Sequence, residues 1–325
     1  MSTAYEQPQV CEPAEVREEG ERDLQRVLQR AGLRGGSLLG SGIEGTVADL
    51  GDGTVAKVWA GRTQAELEHL RDFYAAVHDA RAGGVAMPHI LDVRAIDNTI
   101  ITVEERLPGD PLWVADGTSP ELGTTHIDAM IEALAALGAV PGEPALRALP
   151  SLPDESPIDP LAPFETELAE LVTRRVARFY DSLRAALPDL DTVREATVVA
   201  LRALQPATPT LVHGDLIAAN VLASRNHATA VLDFGFLSTA GDPAFDAAIA
   251  ASCFDMYGPR ATEVERELDR AFTSAFGHDP DRLATYRAAY ALITACCFGN
   301  DISDGHFAWC ITLLGRPDVR EAVRA

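Results

Sequence analysis

At 325 residues the chain exceeds what one ordinary hydrophobic core serves, so two lobes are expected. Its 49 acids against 27 bases leave a formal charge of −22, which argues against nucleic acid or an anionic membrane as the main partner. No apolar run reaches the length of a bilayer span, the N-terminus lacks a secretory pattern, and the five cysteines (Cys11, Cys253, Cys296, Cys297, Cys310) form no C-x-x-C pair. A cytoplasmic protein with reduced thiols used as apolar filler is the expectation.

Residues 1–20 hold five glutamates and little periodicity, and read as a mobile tail. Residues 21–106 read as an N-terminal lobe. Glu21–Ala31 sets Leu24, Val27, Leu28 and Ala31 at helical spacing. From Ser37 strands and glycine turns take over, with Thr46–Leu50 and Thr54–Trp59 flanking the hairpin signal Gly51-Asp52-Gly53. A helix over Thr63–Val77 carries Leu67, Leu70, Phe73, Tyr74 and Val77 on one side, and strands Ile90–Val93 and Thr99–Val103 follow around Asp97-Asn98. Leu107-Pro108-Gly109-Asp110-Pro111 then interrupts the pattern as a hinge. Residues 107–325 read as a mainly helical lobe, with helices over Ile127–Leu137, Phe164–Leu187, Thr192–Leu204, Phe245–Phe254, Thr262–Phe276, Leu283–Phe298 and His306–Leu314. Among them lie three short apolar strands, Thr210–Val212, Val221–Ala223 and Ala230–Leu232. The fold class is α+β and bilobal, a small antiparallel-sheet lobe beside a large helical one.

Gly40-Ser41-Gly42-Ile43-Glu44-Gly45-Thr46-Val47 is a G-x-G-x-x-G-x-V loop. Glycines let the backbone approach a polyphosphate and aim its N–H groups at the oxygens, so Gly40, Ser41, Gly42 and Gly45 are nucleotide-binding candidates. A strand follows the loop, where a Rossmann dinucleotide site requires a helix. Lys57 is the only lysine in the chain; the other basic residues are all arginine. A position kept as lysine against that bias calls for a compact, flexible ammonium. Strand alternation puts Val55, Lys57 and Trp59 on one face, the nucleotide side, where a charge between apolar neighbours needs an anion. Nucleotide phosphates supply one, and a helix carboxylate could steady the ammonium. Glu66, which shares a helix face with Leu70 and Phe73, is the first choice and Glu68 the second.

The densest signal is His213-Gly214-Asp215-Leu216-Ile217-Ala218-Ala219-Asn220, followed by Asp233-Phe234-Gly235. Phosphoryl transfer asks for a carboxylate that orients the acceptor hydroxyl and takes its proton, and for oxygen ligands to a Mg²⁺ bridging the phosphates. Asp215 suits the first role; Asn220 and Asp233 suit the second. Each has a bland reading as a turn or strand-end residue, but their joint spacing downstream of the glycine loop and the lysine does not.

On these motifs the chain resembles the aminoglycoside phosphotransferase (phosphotransferase enzyme) family, small-molecule kinases with a protein-kinase-like fold. His213-Gly214-Asp215…Asn220 is similar to the family's H-G-D-x-x-x-x-N, Asp233-Phe234-Gly235 to its metal-binding segment, and Gly241-Asp242-Pro243-Ala244-Phe245-Asp246 to the G-D-P-x-x-D that follows. The resemblance implies Asp215 as catalytic base, Asn220 and Asp233 on Mg²⁺, and Lys57 on the phosphates of ATP, or of GTP, with Glu66 as its partner. It also implies that Glu105 and Leu107 offer backbone groups to the adenine. His213, Asp242 and Asp246 read as structural, Asp242 as a helix cap. Gly214 stands where protein kinases commonly carry an arginine, and only thirteen positions separate Asp233 from Asp246, too few for a long regulated activation segment or peptide platform.

The acceptor is less legible. Residues 110–209 hold 16 acids and seven arginines, net −9. Asn300–Trp309 gathers acids, a histidine and an aromatic; Asp301, Asp304 and Trp309 are acceptor-binding candidates, with helix capping as the alternative for Asp304. An antibiotic or sugar-like hydroxyl, aminoglycoside or other, is the leading acceptor, for resistance or biosynthesis. A primary-metabolism kinase of the fructosamine, choline or homoserine type is the alternative, and a nucleotide-binding pseudokinase a more distant one.

Overall fold

The computed structural model describes residues 14–42, 44–80, 84–113 and 121–324. Helix α1 (Ala14–Arg30) opens them and takes in residues 14–20, which the sequence assigned to a tail; the rest of that stretch lies outside the described residues. Strands β1 (Ser37–Gly42), β2 (Gly45–Asp49) and β3 (Thr54–Trp59), helix α2 (Gln64–Ala80), and strands β4 (Ile90–Ile96) and β5 (Thr99–Glu105) follow. The five strands form one antiparallel sheet in the order β1-β2-β3-β5-β4.

Alternation gives this sheet two apolar faces. Ala48, Ala56 and Ile101 pack against Leu24 and Leu28 of α1 and Ala31 just past its end. Trp59 and Ile100 join Leu67, Leu70, Phe73, Tyr74 and Val77 of α2 in the main core. Lys57 is thereby set on the α2 side, beside Trp59.

After β5, β6 (Asp110–Pro111), inside the segment expected as a hinge, leads through α3 (Thr124–Gly138) and a 3₁₀ turn at Pro144–Arg147 to α4 (Phe164–Arg178), α5 (Tyr180–Ala186) and α6 (Leu190–Ala203). The helix expected over Phe164–Leu187 is in fact two, broken at Phe179, whose φ of −112° and ψ of 26° leave the helical basin. Then come β7 (Thr210–Val212), β8 (Val221–Ser224), β9 (His227–Val231) and β10 (Thr239–Gly241), and helices α7 (Pro243–Cys253), α8 (Ala261–Phe276), α9 (Pro280–Thr294), α10 (Gly305–Gly315) and α11 (Pro317–Ala322). Strands β8 and β9 form a hairpin joined by β6, turning at Arg225 and Asn226, both at positive φ. Strand β7 pairs instead with β10, which is too short and small-sided to show in the sequence. Helices α7 and α9 are buried on nearly every side, as their alanine-rich, weakly amphipathic sequences require. Cys253 and Cys310 are buried and Cys296 and Cys297 half-buried, all four as free thiols, while Cys11 lies outside the described residues. Among the described residues no helix is long and apolar enough to cross a membrane.

Candidate active site

Strand β7 delivers the chain to His213-Gly214-Asp215, and buried groups then dictate the loop's course. Asp246, on the first turn of α7, accepts hydrogen bonds from the His213 N–H at 2.7 Å and the Gly214 N–H at 2.8 Å. Burial pushes the Asp246 carboxyl up to about 7 against the pull of these two donors. Gly214 has φ +88°, and a Cβ there would come within 2.4 Å of the Phe236 carbonyl oxygen, so only glycine lets the two loops touch. The Ser238 hydroxyl donates to the His213 carbonyl at 2.5 Å and accepts from the Gly235 N–H at 2.8 Å, a second tie between the same loops.

His213 is fully buried. Its Nε2 lies 2.6 Å from the Leu232 carbonyl oxygen, and its Nδ1 accepts from the Asp215 N–H at 3.2 Å. That pattern needs a neutral ring protonated at Nε2. Burial pulls its pKa down to about 4, although the Leu232 carbonyl and Asp233 favour the cation. Asn220 donates from Nδ2 to the Asp215 carbonyl at 3.1 Å, which orients the amide and leaves its oxygen for another partner. Asp233 stands just past β9 at φ +56°, a left-handed turn that aims its carboxylate toward the N-terminal sheet. Phe234 packs on His213 behind it, and on Phe73 and Tyr74 of α2, coupling that helix to the Asp233 segment.

The ammonium of Lys57 meets this assembly. Its Nζ is 3.1 Å from Asp233 Oδ1 and 2.9 Å from Glu44 Oε2, and it lies 3.8 Å from the centroid of the Trp59 ring. Burial alone would lower its pKa; Asp233, Glu44 and Glu104 more than offset that and raise it, so the group is a cation. Glu104 is set up by a relay on the same sheet face. The Trp59 indole donates to Thr102 Oγ1 at 2.9 Å, and Thr102 donates on to Glu104 at 2.5 Å. Burial raises the Glu104 pKa, while Thr102 and Lys57 restrain the rise.

Glu66 is not the partner of Lys57. Its carboxylate accepts from the N–H and hydroxyl of Thr63, each at 2.7 Å, and Thr63 Oγ1 accepts from the Glu66 N–H at 3.3 Å. This reciprocal capping box starts α2 and spends Glu66 locally; Thr63-Gln64-Ala65-Glu66 carries its T-x-x-E signature openly. Glu68 is occupied by Gln64 at 2.8 Å. The acids that do reach Lys57, Glu44 and Glu104, escaped the sequence reading. The pairing of β3 with β5, which sets Lys57 opposite Thr102 and Val55 opposite Glu104, would have pointed to Glu104.

In the glycine loop a Cβ at Gly40 or Gly42 would meet nothing within 4 Å, whereas at Gly45 it would strike the Val58 carbonyl oxygen at 2.0 Å. The first two glycines keep a surface open and the third packs the hairpin. Ser41 bonds Thr46 across that hairpin at 3.0 Å. The Glu105 N–H is taken by the His89 carbonyl at 3.1 Å. Of the acceptor candidates, Asp301 closes its own turn on Ser303 at 2.8 Å and Asp304 caps α10 through the Phe307 N–H at 2.7 Å. Trp309 lies edge-on to Tyr290 and tilted against His306. Asp242 likewise caps α7, accepting from the Ala244 N–H at 2.9 Å and from the Tyr286 hydroxyl at 2.6 Å.

Solved structures share the fold. A thermostable mutant of the aminoglycoside phosphotransferase APH(4)-Ia, in its apo form, matches with a TM-score of 0.63 and 18% identity over 93% of this chain and 98% of its own. The macrolide 2′-phosphotransferase MphH from Brachybacterium faecium matches at 0.54 and 21% identity, over 92% of this chain and 99% of its own. The aminoglycoside phosphotransferase APH(3″)-Id from Streptomyces rimosus matches at 0.51 and 18%, over 84% of this chain and 97% of its own. No curated protein sequence matches the chain. The sequence model of the phosphotransferase enzyme family matches residues 36–289, a span that runs from the glycine loop past Asp233 and Asp246, and the protein therefore belongs to that family.

Proposed function

We propose that this protein is a cytoplasmic, ATP-dependent O-phosphotransferase that moves the γ-phosphoryl group to a hydroxyl of an antibiotic or sugar-like small molecule. The observation that carries this reading is the meeting of Lys57 and Asp233, 176 positions apart, at 3.1 Å. That contact brings a phosphate-binding cation to a metal-binding carboxylate.

Asp215 takes the proton of the acceptor hydroxyl as its oxygen attacks, and ADP leaves. Lys57 steadies the phosphates. Gly40, Ser41, Gly42 and Gly45 present backbone N–H groups over them, Val55 packs against the nucleotide, and the Glu105 carbonyl and Leu107 N–H read the base. Asn220 and Asp233 would hold Mg²⁺. Their oxygens are hard donors, and one amide plus one carboxylate fits an ion that completes its shell with phosphates and water. When bound, the ion offsets negative charge on the phosphoryl oxygens.

For the acceptor, solved structures of similar fold include one with ADP and hygromycin B and another with ADP and streptomycin. The net −9 over residues 110–209 suits a cationic acceptor of that kind, and Trp309 and Asp301 remain its proposed contacts, whereas Asp304 is spent on the cap of α10. The test is ADP release from ATP, with GTP in parallel, over aminoglycosides, macrolides, aminocyclitols, amino sugars and amino alcohols. Asp215→Asn should lower transfer by about 10²–10⁴-fold with nucleotide affinity unchanged; full turnover in that variant would remove Asp215 from its role.

A further inference from the structure

Helix α2 presents no acid to Lys57, since Glu66 and Glu68 are both engaged near its N-terminus. The carboxylate that reaches the ammonium from the N-terminal sheet's edge is Glu44, at the tip of the glycine loop. Its second oxygen is 3.0 Å from Arg62 Nη2, so one carboxylate bridges two cations. The chain holds Arg62 in place on both sides. The Ala60 N–H donates to the Glu44 carbonyl at 2.9 Å, and Gly61 turns at φ +71°. Thr63 then enters the capping box of α2.

Two cations converging on one carboxylate is also the arrangement that binds a phosphate, whose oxygens carry the same charge at similar spacing. Glu44 stands where the glycine loop would bring polyphosphate, a point that rests on the nucleotide reading above. Asp233 and Glu104 already crowd acid around Lys57, and Glu44 beside a polyphosphate would add a further repulsion. The Glu44 side chain is 43% exposed and free to swing into water, whereas Lys57 at 11% is not. We propose that Arg62 is a second phosphate-binding residue and that Glu44 holds its place. Nucleotide phosphates displace the Glu44 carboxylate from Lys57 and Arg62.

The experiment is calorimetric titration of the full chain with ATP and, separately, adenosine, which lacks phosphates. Arg62→Gln should weaken ATP by about tenfold and leave adenosine unchanged. Glu44→Gln should tighten ATP several-fold, again with adenosine unchanged. Weaker ATP binding by Glu44→Gln would overturn the proposal, because it would make Glu44 a positioning partner of Lys57 in the bound state. Unaltered ATP binding by Arg62→Gln would overturn it as well. If that variant does not fold, Arg62→Lys decides: it keeps a cation without the planar fork, so an intermediate loss supports the proposal and wild-type affinity refutes it. Failure of the wild-type chain to bind ATP would instead remove the phosphotransferase reading. Wild-type binding with indifferent variants would remove only the roles of Arg62 and Glu44.

Discussion

His213 and Gly214 rest on an Asp246 carboxylate and a Ser238 hydroxyl that water does not reach, whereas Lys57 rests on Asp233 and Glu44, whose side chains are 53% and 43% exposed. The first set of contacts forms inside the core, between neutral or fully sequestered groups, and salt cannot screen it. The second pairs a buried ammonium with half-exposed carboxylates, either of which can be exchanged for another anion at small cost. One side of the site therefore fixes geometry, and the other side trades partners.

The sharpest way to break this contrast is Lys57→Ala. If Lys57 serves the donor, kcat/KM for ATP should fall about 10²–10³-fold with little change in melting temperature, because the half-exposed Asp233 and Glu44 carboxylates can take up water where the ammonium was. A large loss of stability with modest kinetic change would place Lys57 on the rigid side instead.

The rigid side can be tested through pH. His213 has a folded-state pKa of about 4 against an ordinary 6.5, so its contribution is complete above pH 6.5 and is lost as the pH falls through about 4. Asp246 acts in the opposite sense, contributing fully below 3.8 and losing that contribution as the pH rises through about 7. The two partly cancel in the wild-type protein, but His213→Asn removes one of them. The stability difference between wild type and variant should therefore grow by about 3 kcal/mol from pH 4 to 6.5, read by denaturant unfolding at each pH. A difference independent of pH would mean that the ring is not held neutral.

The smallest effect separates local from tertiary work at Glu66. Glu66→Ala should cost about 1 kcal/mol of stability, the worth of a helix-start contact, with less than a twofold change in the KM for ATP. A KM change as large as that of Lys57→Ala would return Glu66 to the nucleotide site.

The residues legible in the sequence were those whose chemistry is local. Asp215, Asn220 and Asp233 lie on one short run of chain, and Asp242 caps the helix that it precedes. Strand alternation set Lys57 beside Trp59. What stayed hidden was the choice among equivalent acids. Glu66 satisfied both a helix face and a capping box, and the nearer partner, Thr63, won because it needs no chain closure. Glu44 and Glu104 come to Lys57 only through the pairing of β2, β3 and β5, and β10 is visible only because β7 lies against it.

Composition and motif order alone pointed to an α+β chain with a glycine loop, a single lysine beside Trp59 and, among the later helices, the His213-Gly214-Asp215…Asn220 and Asp233-Phe234-Gly235 segments. The tertiary structure alone decided which carboxylates neutralise that lysine and that Arg62 shares one of them. Periodicity records which face a side chain takes, but the meeting of charges from distant strands depends on register and closure, and these are set by the packing of the whole core.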